Sequence, residues 1–209
     1  MPDMEEEQIH QEFYTKDRWN NWLNQVKESG FKFNESEEGS GKEGALFVNM
    51  EDDVILACLK VISKYDRHTL SDEDAFSIVS QIRDIVLEEI EPISDDIDLM
   101  IDSLQTSLMG GIASCECYIQ DAYDKNAKIE DLIKAALDAE ASEDIHLAIG
   151  YVAEIGALVL NGKTFPQDAL EDVPYGFVAE WLDGIDSIAA AMVGSDSYKN
   201  DEEDSDSEI

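Results

Sequence analysis

The stretch "SLMGGIASCECYIQ", Ser107 to Gln120, sets two of the three cysteines one residue apart, just after Gly110 and Gly111. A thiolate can act as a nucleophile, exchange disulfides or hold a soft metal, and spacing decides which of these is open. On a helix, positions i and i+2 point about 200° apart. Cys115 and Cys117 on one continuous helix therefore cannot hold a single ion together, and the Cys-x-x-Cys spacing of redox and zinc sites is missing. With Cys58 the cysteine count is odd, which fits reduced thiols better than a disulfide framework. Cys115 falls on an apolar seam, where a thiol packs as a small apolar group, whereas Cys117 falls off it beside Glu116 and Gln120. Packing is the reading of this stretch, with the two glycines marking a close helix crossing or a kink.

Carboxylates paired with histidine are the next candidates. Glu-x-x-His occurs at Glu7 and His10 and again at Glu143 and His146. In four-helix di-metal carboxylate proteins this motif sits on two of the helices, with further glutamates from the others. Here one copy lies in a polar amino-terminal stretch, and motifs this short arise readily in a glutamate-rich chain. Glu143 and His146 are weak metal candidates, and solvated surface acids are the simpler reading. The turn "DRHTLSDED" fails as a calcium loop. Counted from Asp66, it has Ser71 where glycine is needed and Ser77 where glutamate is needed. No phosphate-binding loop, dinucleotide glycine pattern, Gly-x-Ser-x-Gly elbow or His-Glu-x-x-His is found. Nothing in the spacing singles out a carboxylate pair for acid–base work.

Two further features could serve binding. Trp19 and Trp22, with Phe13 and Tyr14 upstream, are either an exposed aromatic recognition surface or, as such stripes more often are, core. Glu154 interrupts the apolar run "AIGYVAEIGALVL" and shares a helical side with Glu143, Leu147, Gly150 and Asn161, which marks a contact rim or an ordinary exposed acid.

The elements that position these residues read as helices throughout, with strand-like alternation almost nowhere. The first runs from a Thr15 cap to Gly30, with Trp19, Trp22, Leu23 and Val26 on one stripe. Residues 31–49 read as a loop with a short extended piece at "ALFVN". A second helix follows Asn49, with acids in its first turn and Lys60, Lys64 and Arg67 toward its end, as the macrodipole favours. The third starts on the Ser71–Asp74 cap signal and is stopped by Pro92. The fourth opens on Ser94, runs to about Tyr123, and carries Ile97, Ile101, Leu104, Leu108, Gly111, Cys115, Tyr118 and Ala122 as its seam. It is the longest and the expected centre. The fifth spans Lys128 to about Glu140, the sixth is capped by Ser142 and closed by Asn161 and Gly162, and a last one follows Pro174.

Of 209 residues, 44% are apolar, enough for one sizeable core. Acidic residues number 49 against 14 basic ones, a formal net charge of −35. Such a chain is repelled by nucleic-acid phosphate and by anionic membranes, and attracts basic partners. The start "MPDMEEEQIH" has no basic or apolar run, so neither a secretory signal nor a transit peptide is expected there. The longest uncharged stretch, Ser103 to Cys115, is too short to span a bilayer. A cytoplasmic location is expected. The end, "SDSYKNDEEDSDSEI", holds seven acids and one lysine without apolar pattern, so disorder is expected, with Asp201, Glu202, Glu203 and Asp204 as charged contacts for a partner.

The segments "FYTKDRWNNWLNQV", "LFVNMEDDVILACLKVI", "RDIVLEEIEP" and "DSLQTSLMGGIASCECYI" together resemble an uncharacterised archaeal family, a domain of unknown function associated with methanogens and halophiles. The similar region covers roughly residues 13 to 125. The resemblance implies an archaeal cytosolic protein and carries over no catalytic residue.

The sequence thus points to an all-α, bundle-like domain of six to seven helices over residues 13–193, between an acidic start, 1–12, and an acidic tail, 194–209. The expected function is non-enzymatic, a protein–protein interaction or regulatory factor that docks on a basic partner or assembly, with no cofactor, nucleic acid or membrane. A helical metal-carboxylate or thiol enzyme and a nucleic-acid-mimicking inhibitor stand as alternatives.

Overall fold

A computed structural model describes residues 13–33, 44–166, 170 and 173–193. These form seven helices: α1 Lys16–Ser29, α2 Gly44–Asp66, α3 Asp72–Val86, α4 Asp95–Ile119, α5 Ile129–Ala141, α6 Ile145–Leu160 and α7 Phe177–Val193. The fold is the all-α bundle that helical periodicity implies. The longest helix, α4, packs against α2, α3, α6 and α7, while α1 leans on α2 and α3 and α5 on α6. Its seam, from Ile97 through Ile101, Leu104, Leu108 and Gly111 to Cys115, is buried along its length. Opposed to it are Ile55, Ile155, Leu182, Ile185 and Ile188, each 1% exposed or less. Each such side chain contributes about 1.5–3 kcal/mol of burial free energy.

Glycine lets the central crossings be this tight. A Cβ at Gly110 would lie 2.5 Å from the Trp181 carbonyl oxygen, one at Gly184 would overlap the Ser107 carbonyl, and one at Gly156 would overlap the Ser114 hydroxyl. Gly110 and Gly111 therefore mark a close crossing on an uninterrupted helix.

Local signals set most helix starts. Thr15, Ser71 and Ser94 accept from the backbone N–H groups of Arg18, Asp74 and Ile97. The start of α7 is held from afar: Glu140 Oε1 accepts from the Phe177 N–H at 2.6 Å and the Val178 N–H at 3.3 Å.

Several predicted boundaries move. The piece "ALFVN" is helical, because Phe47 and Met50 extend the buried stripe of α2 backward onto the core. The acids Glu51 to Asp53 thus lie inside α2 rather than in its first turn, and two of them serve tertiary contacts. Asp53 receives the Arg18 guanidinium and, at 2.8 Å, the Trp22 indole N–H, and Glu51 accepts from the Ser107 hydroxyl at 2.5 Å. Helix α3 stops at Val86, well before Pro92, where Gln105 of α4 donates to the Val86 carbonyl at 2.7 Å. Ser142 follows α5 as its C-cap, and Asp144 caps α6, accepting from the Leu147 N–H. Helix α4 ends at Ile119, so Ala122 lies beyond it and is exposed.

Four helices end in one hydrogen-bond pattern, in which two N–H groups fold back onto carbonyls of the last turn. The residue at the bend is Gly162 after α6, but His68 after α2, Asp121 after α4 and Glu143 after α5, at φ of 58°, 50° and 60°. A left-handed backbone costs a side-chain-bearing residue about 1–2 kcal/mol.

A tyrosine and carboxylate pocket at one end of the bundle

Two of those strained bends, His68 and Asp121, line the same cavity. It encloses about 610 Å³ where the carboxyl ends of α2, α4 and α6 converge beside the start of α3. Its walls are Tyr65, Tyr118 and Tyr123. Tyr118 meets Tyr65 edge-on at 6.2 Å between ring centres and lies at 26° to Tyr123, also at 6.2 Å. Asp66, Asp72 and Asp121 stand around the rings.

The phenols help hold this shape. The Tyr65 hydroxyl donates to the Ile119 carbonyl at 3.2 Å, tying the end of α2 to the end of α4. The Tyr118 hydroxyl donates to Asp66 at 3.0 Å. Burial, with the negative charge of Asp72, Asp66 and Asp121, raises the Tyr65 pKa. Burial and the bond to Asp66 raise that of Tyr118. Both rings stay neutral at physiological pH and present their negative π faces.

Negative potential accumulates here from three sources: aromatic faces, carboxylates and helix ends. Each helix carboxyl end carries roughly −0.5 of an elementary charge, and neither α4 nor α6 has a basic residue in its last turn. Among the described residues that line the cavity, Lys125 is the one lysine or arginine. Its ammonium pairs with Asp121 at 2.7 Å and lies 5.8 Å from the centre of the Tyr123 ring. Chemically, aromatic faces and carboxylates arranged this way favour a positive charge.

The residues singled out from the sequence lie elsewhere. Trp19 is 1% exposed, so of its two readings core is the one the packing shows. Trp22 is half-buried with its indole on Asp53. Glu143 and His146 are exposed, one at the bend before α6 and the other in its first turn. No group of three or more histidine, cysteine, aspartate or glutamate side chains is placed to hold a metal ion among the described residues. Glu7, His10, Asp201, Glu202, Glu203 and Asp204 lie outside those residues. Glu154 is half-buried, close enough to Cys117 that its charge adds to burial in raising that thiol to about 11. A hydrogen bond to Cys58 and full burial push Cys115 up as well.

Sequence reasoning missed the tyrosine pocket, placing Tyr118 on the α4 seam. The signal was there in "KYDRH" and "CYIQDAYDK", where tyrosine is followed by aspartate at two helix ends.

Fold and site together define an all-helical domain with a pocket of tyrosines and aspartates at the end of its bundle. Over residues 12–201 the chain matches the family described as an uncharacterized protein conserved in archaea (DUF2150), and it belongs to that family. Neither the curated proteins nor the solved structures include a match to it. Among the described residues no helix is long and apolar enough to cross a membrane.

Proposed function

We propose that this protein is a non-enzymatic interaction factor that docks on a basic protein partner, with the tyrosine pocket receiving a lysine or arginine side chain. One observation carries the reading: three tyrosine rings and three aspartates line one cavity, where three helix carboxyl ends meet the start of α3, and that cavity already holds an ammonium group. The net charge of −35 steers a basic partner toward the surface, and the pocket supplies a specific anchor. The acids Asp201 to Asp204 add to the long-range attraction. A cytoplasmic setting and an origin in a methanogen or halophile fit so acidic a surface. Raised thiols at Cys115 and Cys117 favour this reading over a thiol enzyme, since protonated sulfur is a poor nucleophile.

The test is fluorescence anisotropy of a labelled tetralysine peptide against the full chain and its Tyr65→Leu variant, whose ring lines the cavity without holding Lys125, at several salt concentrations. Losing one cation–π contact should weaken binding about two- to fivefold. The salt slope should stay unchanged, because no charge is removed. Equal affinity for the two proteins would reduce the association to undirected surface charge.

A further inference from the structure

We propose that Lys125 is a built-in occupant of the pocket, and that an external organic cation binds by displacing its ammonium group. This rests on the pocket being a cation site, and it adds how that site is kept closed. Lys125 sits six residues beyond the end of α4, in the short connection to α5. Its ammonium makes the two contacts an incoming cation would make, an ion pair with Asp121 at 2.7 Å and the face of Tyr123 at 5.8 Å. The side chain remains about half exposed, at 54%, so nothing locks it in place. An exposed ion pair and an exposed cation–π contact are each weak, and a cation held this way yields to a competitor.

Asp121, which anchors Lys125, occupies a left-handed backbone position where glycine is the usual choice. Glycine there would relieve strain but would remove the carboxylate. The neighbouring bend, His68, lines the same cavity. Lys163, the first basic residue after α6, does not compete for the pocket, because its ammonium is held by the Ala127 carbonyl at 2.5 Å.

Displacement has a direct consequence for affinity. A ligand that must first evict Lys125 binds more weakly than one entering a vacant pocket. Replacing Lys125 by glutamine should therefore tighten binding of an external cation about three- to tenfold. The exposed Lys128, at the start of α5, provides a variant with the same change in net charge.

The experiment uses isotopically labelled full-length protein, with n-butylammonium chloride as probe and ionic strength held constant with sodium chloride. In the unligated protein the Lys125 methylene protons should be shifted upfield by the Tyr123 ring, and butylammonium should return them toward free-lysine positions. Lys125→Gln should bind the probe three- to tenfold more tightly, and Lys128→Gln less than twofold. Lys125 resonances at free-lysine positions in the unligated protein would overturn the proposal. So would equal gains in the two variants, which would reduce the effect to net charge. Probe binding that is unchanged in Lys125→Gln would overturn displacement while leaving the pocket a cation site. Ring-shifted Lys125 with no probe binding to either protein would refute the pocket reading, and displacement with it.

Discussion

Gly184 and Gly150 are both glycines inside helices, yet the packing predicts opposite effects when each becomes alanine. Away from contacts, glycine to alanine in a helix gains about 1 kcal/mol of propensity. Gly150 in α6 has open space where its Cβ would stand, so Gly150→Ala should collect that gain. At a chain of this size about 1 kcal/mol moves Tm by roughly 2–4 °C, here upward. At Gly184 the new methyl group would overlap the Ser107 carbonyl, a backbone atom that no rotamer change can move aside. Separating α4 from α7 costs about 1–3 kcal/mol of overpacking. Set against the propensity gain, Gly184→Ala should lose up to about 2 kcal/mol, or up to roughly 8 °C. Urea denaturation and thermal melts followed by circular dichroism measure both variants. Stabilisation by Gly184→Ala equal to that by Gly150→Ala would refute the close α4–α7 crossing.

Three further expectations concern residues whose roles are now assigned. Glu143→Gly should raise stability by up to about 1.6 kcal/mol in urea denaturation, since about 1–2 kcal/mol of left-handed strain is relieved and about 0.4–1 kcal/mol is lost to unfolded-chain entropy. A loss instead would show that the Glu143 side chain has a role beyond its bend. Burial raises Glu51 above its ordinary 4.5, so the folded state binds this proton more tightly than the unfolded state does. Its ionisation penalty is absent below about 4.5, grows as pH rises through the interval up to the raised value, and is complete above it. The Glu51 contribution to Tm should therefore rise as pH falls through the raised value toward 4.5, and Glu51→Gln, which keeps an acceptor for Ser107, should remove that part of the slope. A Tm profile unchanged by the substitution would contradict this. Cys117, at about 11, should react with iodoacetamide at pH 7 roughly 30-fold more slowly than a free thiol. Its thiolate is about 300-fold scarcer, offset about tenfold by greater intrinsic nucleophilicity. Mass spectrometry of the alkylated peptide reads this directly, and rapid labelling would restore the thiol-enzyme alternative.

Much of the fold was legible because its determinants are local. The caps at Thr15, Ser71 and Ser94 need only a hydroxyl and the next three residues, and the α4 seam needs only its period. Boundaries set by distant groups were not legible. Helix α2 begins at Gly44 because Phe47 finds a core to enter, and α3 stops at Val86 where Gln105 of another helix meets its last carbonyls. Ser142 looks like a cap for α6 until Glu143 turns left-handed and passes that task to Asp144. The pocket was hidden for the same reason. Tyr65, Tyr118 and Tyr123 belong to two different helix ends, and only the tertiary arrangement joins them. A stripe pattern assigns Tyr118 inward and cannot tell a core wall from a cavity wall.

The most direct test of the cation pocket is a map of backbone amide shifts as tetralysine is added to the full-length protein. The account predicts that the largest changes cluster at residues 65–72, 118–125 and Asn161, and saturate together with a single affinity. Small, unsaturating changes spread over acidic residues around the whole surface, with these segments no more affected than the rest, would contradict it.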